Sequence, residues 1–186
     1  MKPPTEPTQA EIAILSLLSE GEQHGYALNE TIEDRGFRNW TNIGFSSIYW
    51  ILNRLEKTEL ISSRIDPSSK GPARKLYRLT KAGQTALLRS IKRSLSEPEP
   101  PRTRIDLGAA YIELLSPDES IQCLEQYRLL MRERINQILK IRQEQEPLPF
   151  GAEIIFDHGY IKGKAELEWV EDVLRRLKER QENTGQ

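Results

Sequence analysis

The stretch Ser96-Glu97-Pro98-Glu99-Pro100-Pro101-Arg102 restricts the fold more than any other in the chain. Its three prolines remove amide donors and push the residues before them out of the helical region, so no helix crosses this point. The reading is therefore of two parts, residues 1-96 and 97-186. Charge supports the division. Although the 186 residues carry a net charge of only -1, the stretch Arg35 to Arg93 holds 13 Lys and Arg against three carboxylates. From Glu97 onward, 13 basic residues face 18 acidic ones. A basic middle suits a polyanionic partner, and an acidic remainder does not.

Within the first part, Thr8 and Glu11 have the spacing of a capping box, and Ile12, Ile14, Leu15, Leu17 and Leu18 make the helix behind them apolar around much of its circumference. Gly21 ends that helix. His24-Gly25-Tyr26 opens a second one, running to about Asp34, with Leu28 and Ile32 facing inward and His24 serving a turn. A polar connection marked by Phe37, Trp40 and Ile43 leads to a third, over Gly44 to Lys57. Here Ile48, Ile51, Leu52 and Leu55 follow the i, i+3, i+4, i+7 rule and must be buried. The opposite face holds Ser46, Ser47, Tyr49, Trp50, Asn53, Arg54 and Lys57, with no carboxylate until Glu56 at its edge.

Beyond Leu60 the period changes from 3.6 to two. Leu60 to Ile65 and Lys75 to Leu79 read as strands, and Asp66-Pro67-Ser68-Ser69-Lys70-Gly71-Pro72 between them is a turn signal, which gives a hairpin with a basic tip. Thr80 then caps a helix with Ala82, Leu87, Leu88, Ile91 and Leu95. The expectation is a mainly α chain whose N-terminal part is a winged helix-turn-helix of order α-α-α-β-β-α.

The second part reads as helices over Arg104 to Leu115, Ser116 to Gln145 and Ala152 to about Glu182. Ser116, Pro117 and Glu119 supply an N-cap, a proline at the first helical position and a capping-box partner. The middle helix aligns Ile121, Leu124, Met131, Ile135 and Ile138, and the last aligns Ile154, His158, Ile161, Ala165, Trp169, Val173 and Leu177. Two helices this long leave apolar seams for a second copy, so the part reads as a C-terminal helical dimerisation domain. An intramolecular antiparallel hairpin is the other way to bury them.

Catalysis finds little support. The chain lacks a phosphate-binding glycine loop, and its two histidines, His24 and His158, fall in different parts with no cysteine close in sequence. His158 reads as a core or interface residue, and the single cysteine, Cys123, as a buried inert thiol between Ile121 and Leu124. Neither an enzyme nor a metal or cofactor protein is expected. No apolar run approaches a membrane span and no signal peptide precedes the first helix, which makes a cytoplasmic protein the expectation.

The third helix is shaped to enter a DNA major groove. Ser46, Ser47, Tyr49, Trp50 and Asn53 are its candidate contacts to bases or phosphates, Arg54 and Lys57 reach the backbone, and Lys70, Arg74 and Lys75 on a basic wing over residues 64-78 lie on phosphates or in the minor groove. Tyr49 and Trp50 would also serve as packing residues for the wing. Arg64 and Arg78 suit solvent or a pairing with Asp66 as well as DNA.

The chain resembles the PadR family of bacterial winged-helix transcriptional regulators. The likeness is carried by the apolar first helix, His24-Gly25-Tyr26, Ser47-Ile48-Tyr49, Arg54-Leu55-Glu56, Leu60-Ile61, Gly71-Pro72-Ala73-Arg74-Lys75, Tyr77-Arg78-Leu79-Thr80 and Gly83. The resemblance implies a homodimeric repressor on double-stranded DNA, with C-terminal helices forming the dimer and in some members a ligand pocket. A palindromic operator follows from two-fold symmetry. An apolar or aromatic effector, met near Phe156, Tyr160 or Trp169, would release it. Three departures fall on or beside the reading helix: Gly44-Phe45-Ser46-Ser47 replaces the family's Ser-Pro-Gly-Thr, Trp50 a proline, and Glu59 a glycine. Trp50 in place of proline, with the near-neutral net charge, leaves a rival reading, a winged-helix protein-interaction module without DNA binding.

Overall fold

The computed structural model describes residues 6–39, 41, 43–44, 47–66, 74–98 and 103–184. Trp40, Ser46, Lys70, the wing tip and Glu99 to Arg102 lie outside them. The chain divides into two compact units, Met1–Pro100 and Pro101–Gln186.

The first unit contains α1 (Gln9–Ser19), β1 (Gln23–His24), α2 (Gly25–Asp34), a 3-10 turn (Phe37–Asn39), α3 (Ser47–Lys57), β2 (Ile61–Ile65), β3 (Lys75–Leu79) and α4 (Lys81–Ser96). The expected hairpin of β2 and β3 gains a third, antiparallel strand, giving the order β1-β3-β2. Two residues are too few to show a period of two, so β1 leaves no sequence signal; Gln23 and His24 are strand because Tyr77 and Leu76 lie beside them.

The Thr8–Glu11 capping box forms as spaced, and α1 buries Ile14, Leu15, Leu17 and Leu18 at the centre of the unit. Leu28 and Ile32 of α2 and Ile48, Ile51, Leu52 and Leu55 of α3 close around it. Burying each such side chain contributes roughly 1.5–3 kcal/mol. From α4 only Gly83 and Leu87 are buried, while Leu88, Ile91 and Leu95 stay exposed. Gly83 meets the carbonyl of Leu60 so closely that a Cβ would stand 1.9 Å from its oxygen. Thr80 secures the same junction, its hydroxyl donating to the Leu60 carbonyl at 3.0 Å and accepting the Gly83 N–H at 2.9 Å.

The turn after α3 is closed by Glu59 at φ 58°, with the Leu60 N–H donating to Leu55 O and the Glu59 N–H to Glu56 O, each at 3.0 Å. These are the two bonds of a Schellman motif, made here by a residue that has a Cβ.

The second unit holds α5 (Arg104–Ala110), a 3-10 turn (Ile112–Leu114), α6 (Pro117–Glu144) and α7 (Phe150–Thr184). The first of the expected helices thus ends at Ala110. The intramolecular hairpin exists: α6 and α7 run antiparallel, with Gln181 bonded to Asp118, Lys178 to Glu125 and Arg142 to Asp157. Along α6 the expected stripe holds, with Leu124, Met131 and Ile135 buried. Along α7 it holds only toward the C-terminus, where Val173 and Leu177 pack against the cluster of Leu124, Val170 and Leu174. Its buried residues are Gly163, Val170 and Leu174, whereas Ile154, His158, Ile161 and Trp169 are exposed. Rotating the helix by about 100°, one residue, exchanges the two faces. The hairpin prefers the face with Gly163, whose missing side chain lets Ile135 approach; a Cβ there would lie 3.0 Å from Ile135 Cγ1. Cys123, expected inside, is also exposed, because α6 turns Leu124 rather than its neighbour toward α7. Apolar surface remains in quantity, including Leu107, Tyr111, Leu114, Phe150 and Ile161. No helix among the described residues is long and apolar enough to cross a membrane.

Candidate nucleic-acid interface

With its stripe locked against α1 and α2, α3 turns a polar and aromatic face to solvent. Tyr49 and Trp50 are 55% and 61% exposed, and Asn53 and Lys57 are exposed beside them. Ser47 is half-buried, its hydroxyl donating to Gly44 O at 2.6 Å. Tyr49 is partly a packing residue: its ring lies so near the start of α2 that a Cβ on Gly25 would be 2.8 Å from Cε1.

Of the expected cations, Arg54, Arg74 and Lys75 are already engaged. Arg54 places Nε 3.1 Å from the carboxylate of Glu11 on α1, which is buried, and its guanidinium lies 5.6 Å from the Trp50 ring centre. Lys75 Nζ is 2.8 Å from Glu56 Oε2, and Ser63 donates to the same carboxylate. Lys75 and Ser63 hold the Glu56 carboxyl below its usual range, and Glu56 in turn raises Lys75. Wing and reading helix are thus tied by an ion pair. Arg74 stands 5.2 Å over the ring of Tyr26. On the strands Arg64 pairs with Glu22, and Arg78 donates to Ser62, so neither uses Asp66 as its partner in these bonds.

Asp66 instead meets His24, whose Nε2 is 2.9 Å from Oδ2. The other ring nitrogen, Nδ1, is 3.0 Å from the carbonyl oxygen of Lys75. Both neighbours offer acceptor oxygens to the ring. His24 therefore clasps the two wing strands at their loop end, a larger role than the turn expected of it, and it stacks on Tyr26 at 5.5 Å. Glu11, Tyr26, His24 and Glu56 are the supporting residues that sequence reasoning left out of the site. Periodicity finds faces but not partners, and each of these acts through a residue distant in sequence.

In the second unit Phe156 and Tyr160 are half-buried and Trp169 is exposed. At ~100° per residue, Trp169 lies on the side of α7 opposite Tyr160, so the three do not converge within one protomer. An open groove at α6 and α7 is bordered by Arg128, Glu171, Leu174, Arg175 and Lys178, a mostly charged lining that includes none of them.

A trihelical core, a reading helix with its apolar side locked and its polar side free, and a three-stranded wing braced to it define the winged helix-turn-helix class. Residues 14–89 match the transcriptional regulator PadR-like family, and the chain belongs to that family: it is a PadR-like transcriptional regulator. An uncharacterized protein of Lysinibacillus sphaericus is 34% identical over 79 residues, which are 42% of this chain and 72% of that protein. The crystal structure of Bacillus subtilis PadR in complex with operator DNA is similar at a TM-score of 0.74 and 23% identity, covering 91% of this chain and 99% of that one. The same protein in complex with p-coumaric acid gives a TM-score of 0.74 at 24% identity, covering 90% and 98%.

Proposed function

We propose that this regulator is a cytoplasmic homodimeric repressor that binds a palindromic operator, each protomer reading one half-site with α3 and its wing. The observation that carries the reading is the exposed, carboxylate-free face of Tyr49, Trp50, Asn53 and Lys57 beside Arg74 and Lys75. Ser47, Tyr49, Trp50 and Asn53 meet base edges or nearby phosphates, and Lys57, Lys70, Arg74 and Lys75 meet phosphates. Residues 1-96 form the DNA-binding domain and 97-186 the dimerisation domain. Dimerisation is favoured by the apolar residues that the hairpin leaves uncovered, such as Leu114, Phe150 and Ile161. Half-sites should then lie one helical turn apart, ~34–36 Å.

The test is binding to the chain's own promoter against random duplex. A specific, salt-sensitive preference is expected, with affinity falling by about 1,000- to 100,000-fold between 50 and 200 mM salt if 6 to 10 phosphates are contacted. No preference at any salt concentration refutes the reading. A protein-interaction module, the rival, is separated from it by charge reversal at Arg74 and Lys75: a DNA binder loses affinity for all sequences alike, whereas Asn53→Ala relaxes preference.

Release by an apolar or aromatic small molecule fits the p-coumaric acid complex of B. subtilis PadR. Since Tyr160 and Trp169 point to opposite sides of α7, a site using Phe156, Tyr160 and Trp169 together needs residues of both protomers. Tryptophan quenching by a panel of phenolic acids, coupled to operator release, tests it; quenching without release removes the effector role.

A further inference from the structure

We propose that Trp50 reads a pyrimidine C5-methyl group in the major groove, and that Glu11 and Arg54 are positioning residues that fix its ring for this purpose. The inference rests on the DNA-reading function proposed above and deepens it. Trp50 is the most exposed aromatic on α3. An indole face offers no acceptor, and the one apolar group that a base pair shows in the major groove is the methyl at pyrimidine C5. A freely turning side chain would lose rotamer freedom on such a contact. This one is supported: the Arg54 guanidinium lies 5.6 Å from the ring centre, and Arg54 Nε is 3.1 Å from Glu11 Oε1. Glu11 is itself fixed, because it is buried and its second oxygen accepts the Thr8 N–H at 2.8 Å. The start of α1, the Arg54 guanidinium and the Trp50 indole thus form one chain of contacts that ends in solvent. Arg54 has its charge committed to Glu11, which makes it a support for Trp50 and not a phosphate contact.

The experiment selects a preferred duplex from a random pool with the full-length protein, then remakes it with uracil for thymine, or 5-methylcytosine for cytosine, one position at a time. The expected result is a thymine in each half-site whose replacement by uracil weakens binding about fourfold, the affinity equivalent of burying one methyl-sized group. A cytosine whose methylation strengthens binding by a similar factor would assign the same contact to that base. Trp50→Ala should abolish the discrimination. Arg54→Gln should reduce it while leaving the salt dependence of binding unchanged, and Glu11→Gln, which also releases the Arg54 charge, should reduce it. Should Glu11→Gln fail to fold, Arg54→Gln alone decides, since loss of a phosphate contact would lower the salt slope by about one per protomer. A lowered slope with discrimination intact overturns the proposal, as does a methyl effect equal in wild type and Trp50→Ala. Failure to select any duplex would instead overturn the DNA-reading function itself.

Discussion

Arg54 Nε lies 3.1 Å from the buried carboxylate of Glu11, joining the reading helix to the first turn of α1 across 43 residues of sequence. The same carboxylate closes the capping box with Thr8. Glu11→Ala should therefore destabilise the first unit by about 1–2 kcal/mol, mostly through the cap, because Arg54 is exposed enough for water to replace its partner. A urea midpoint unchanged by the substitution would show that neither bond matters to folding.

Gly83 is expected to be the least replaceable residue of the first unit. The Leu60 carbonyl that its Cβ would strike at 1.9 Å is backbone, so α4 must shift as a whole. Gly83→Ala should cost about 3 kcal/mol, the upper end of overpacking. A loss under ~1 kcal/mol in denaturant unfolding would mean that the helix start relaxes freely.

Glu59→Gly should act in the opposite direction. Glu59 occupies the left-handed region at φ 58° and is exposed, so its side chain brings strain without burial. Glycine removes a penalty of roughly 1 kcal/mol. The thermal midpoint should rise, and a fall would indicate that the glutamate side chain makes a compensating contact.

The ion pair between Glu56 and Lys75 limits the wing's free charge. Glu56→Gln should raise affinity for random duplex at low salt and steepen the salt dependence by up to about one ion per protomer. With the wild type, the depressed Glu56 carboxyl contributes stability that is present above its ordinary value of 4.5 and is lost as pH falls below it. Comparing the acid unfolding of the two proteins checks this part: the substituted protein should be the less sensitive.

Tyr127 governs the alkaline side. Burial, and then its hydrogen bond to Glu166, push its hydroxyl up to about 12 from an ordinary 10.0. A raised value in the folded state means that the stabilisation is complete below pH 10 and disappears as pH rises through 12. Tyr127→Phe should flatten the fall in thermal midpoint across that window. An equal fall in both proteins would place its origin elsewhere.

Whatever depends on neighbours along one chain segment could be read from the residues alone. Ile48, Ile51, Leu52 and Leu55 share a face because 3.6 residues make a turn, and Thr8 with Glu11 or Ser116 with Glu119 close caps three residues long. Element order, the buried side of α3 and the aromatic face opposite it were legible for that reason. Tertiary structure decided everything that required a partner from far away. It made Gln23 and His24 a strand and gave Arg54 to Glu11 and Lys75 to Glu56. It also chose Val170 over Trp169 as the inward side of α7. In that last case both faces are apolar enough, and only the close approach at Gly163 separates them. Pattern ranks the faces of a helix by polarity, whereas packing ranks them by shape, and the two rankings differ where a glycine lets a neighbour in.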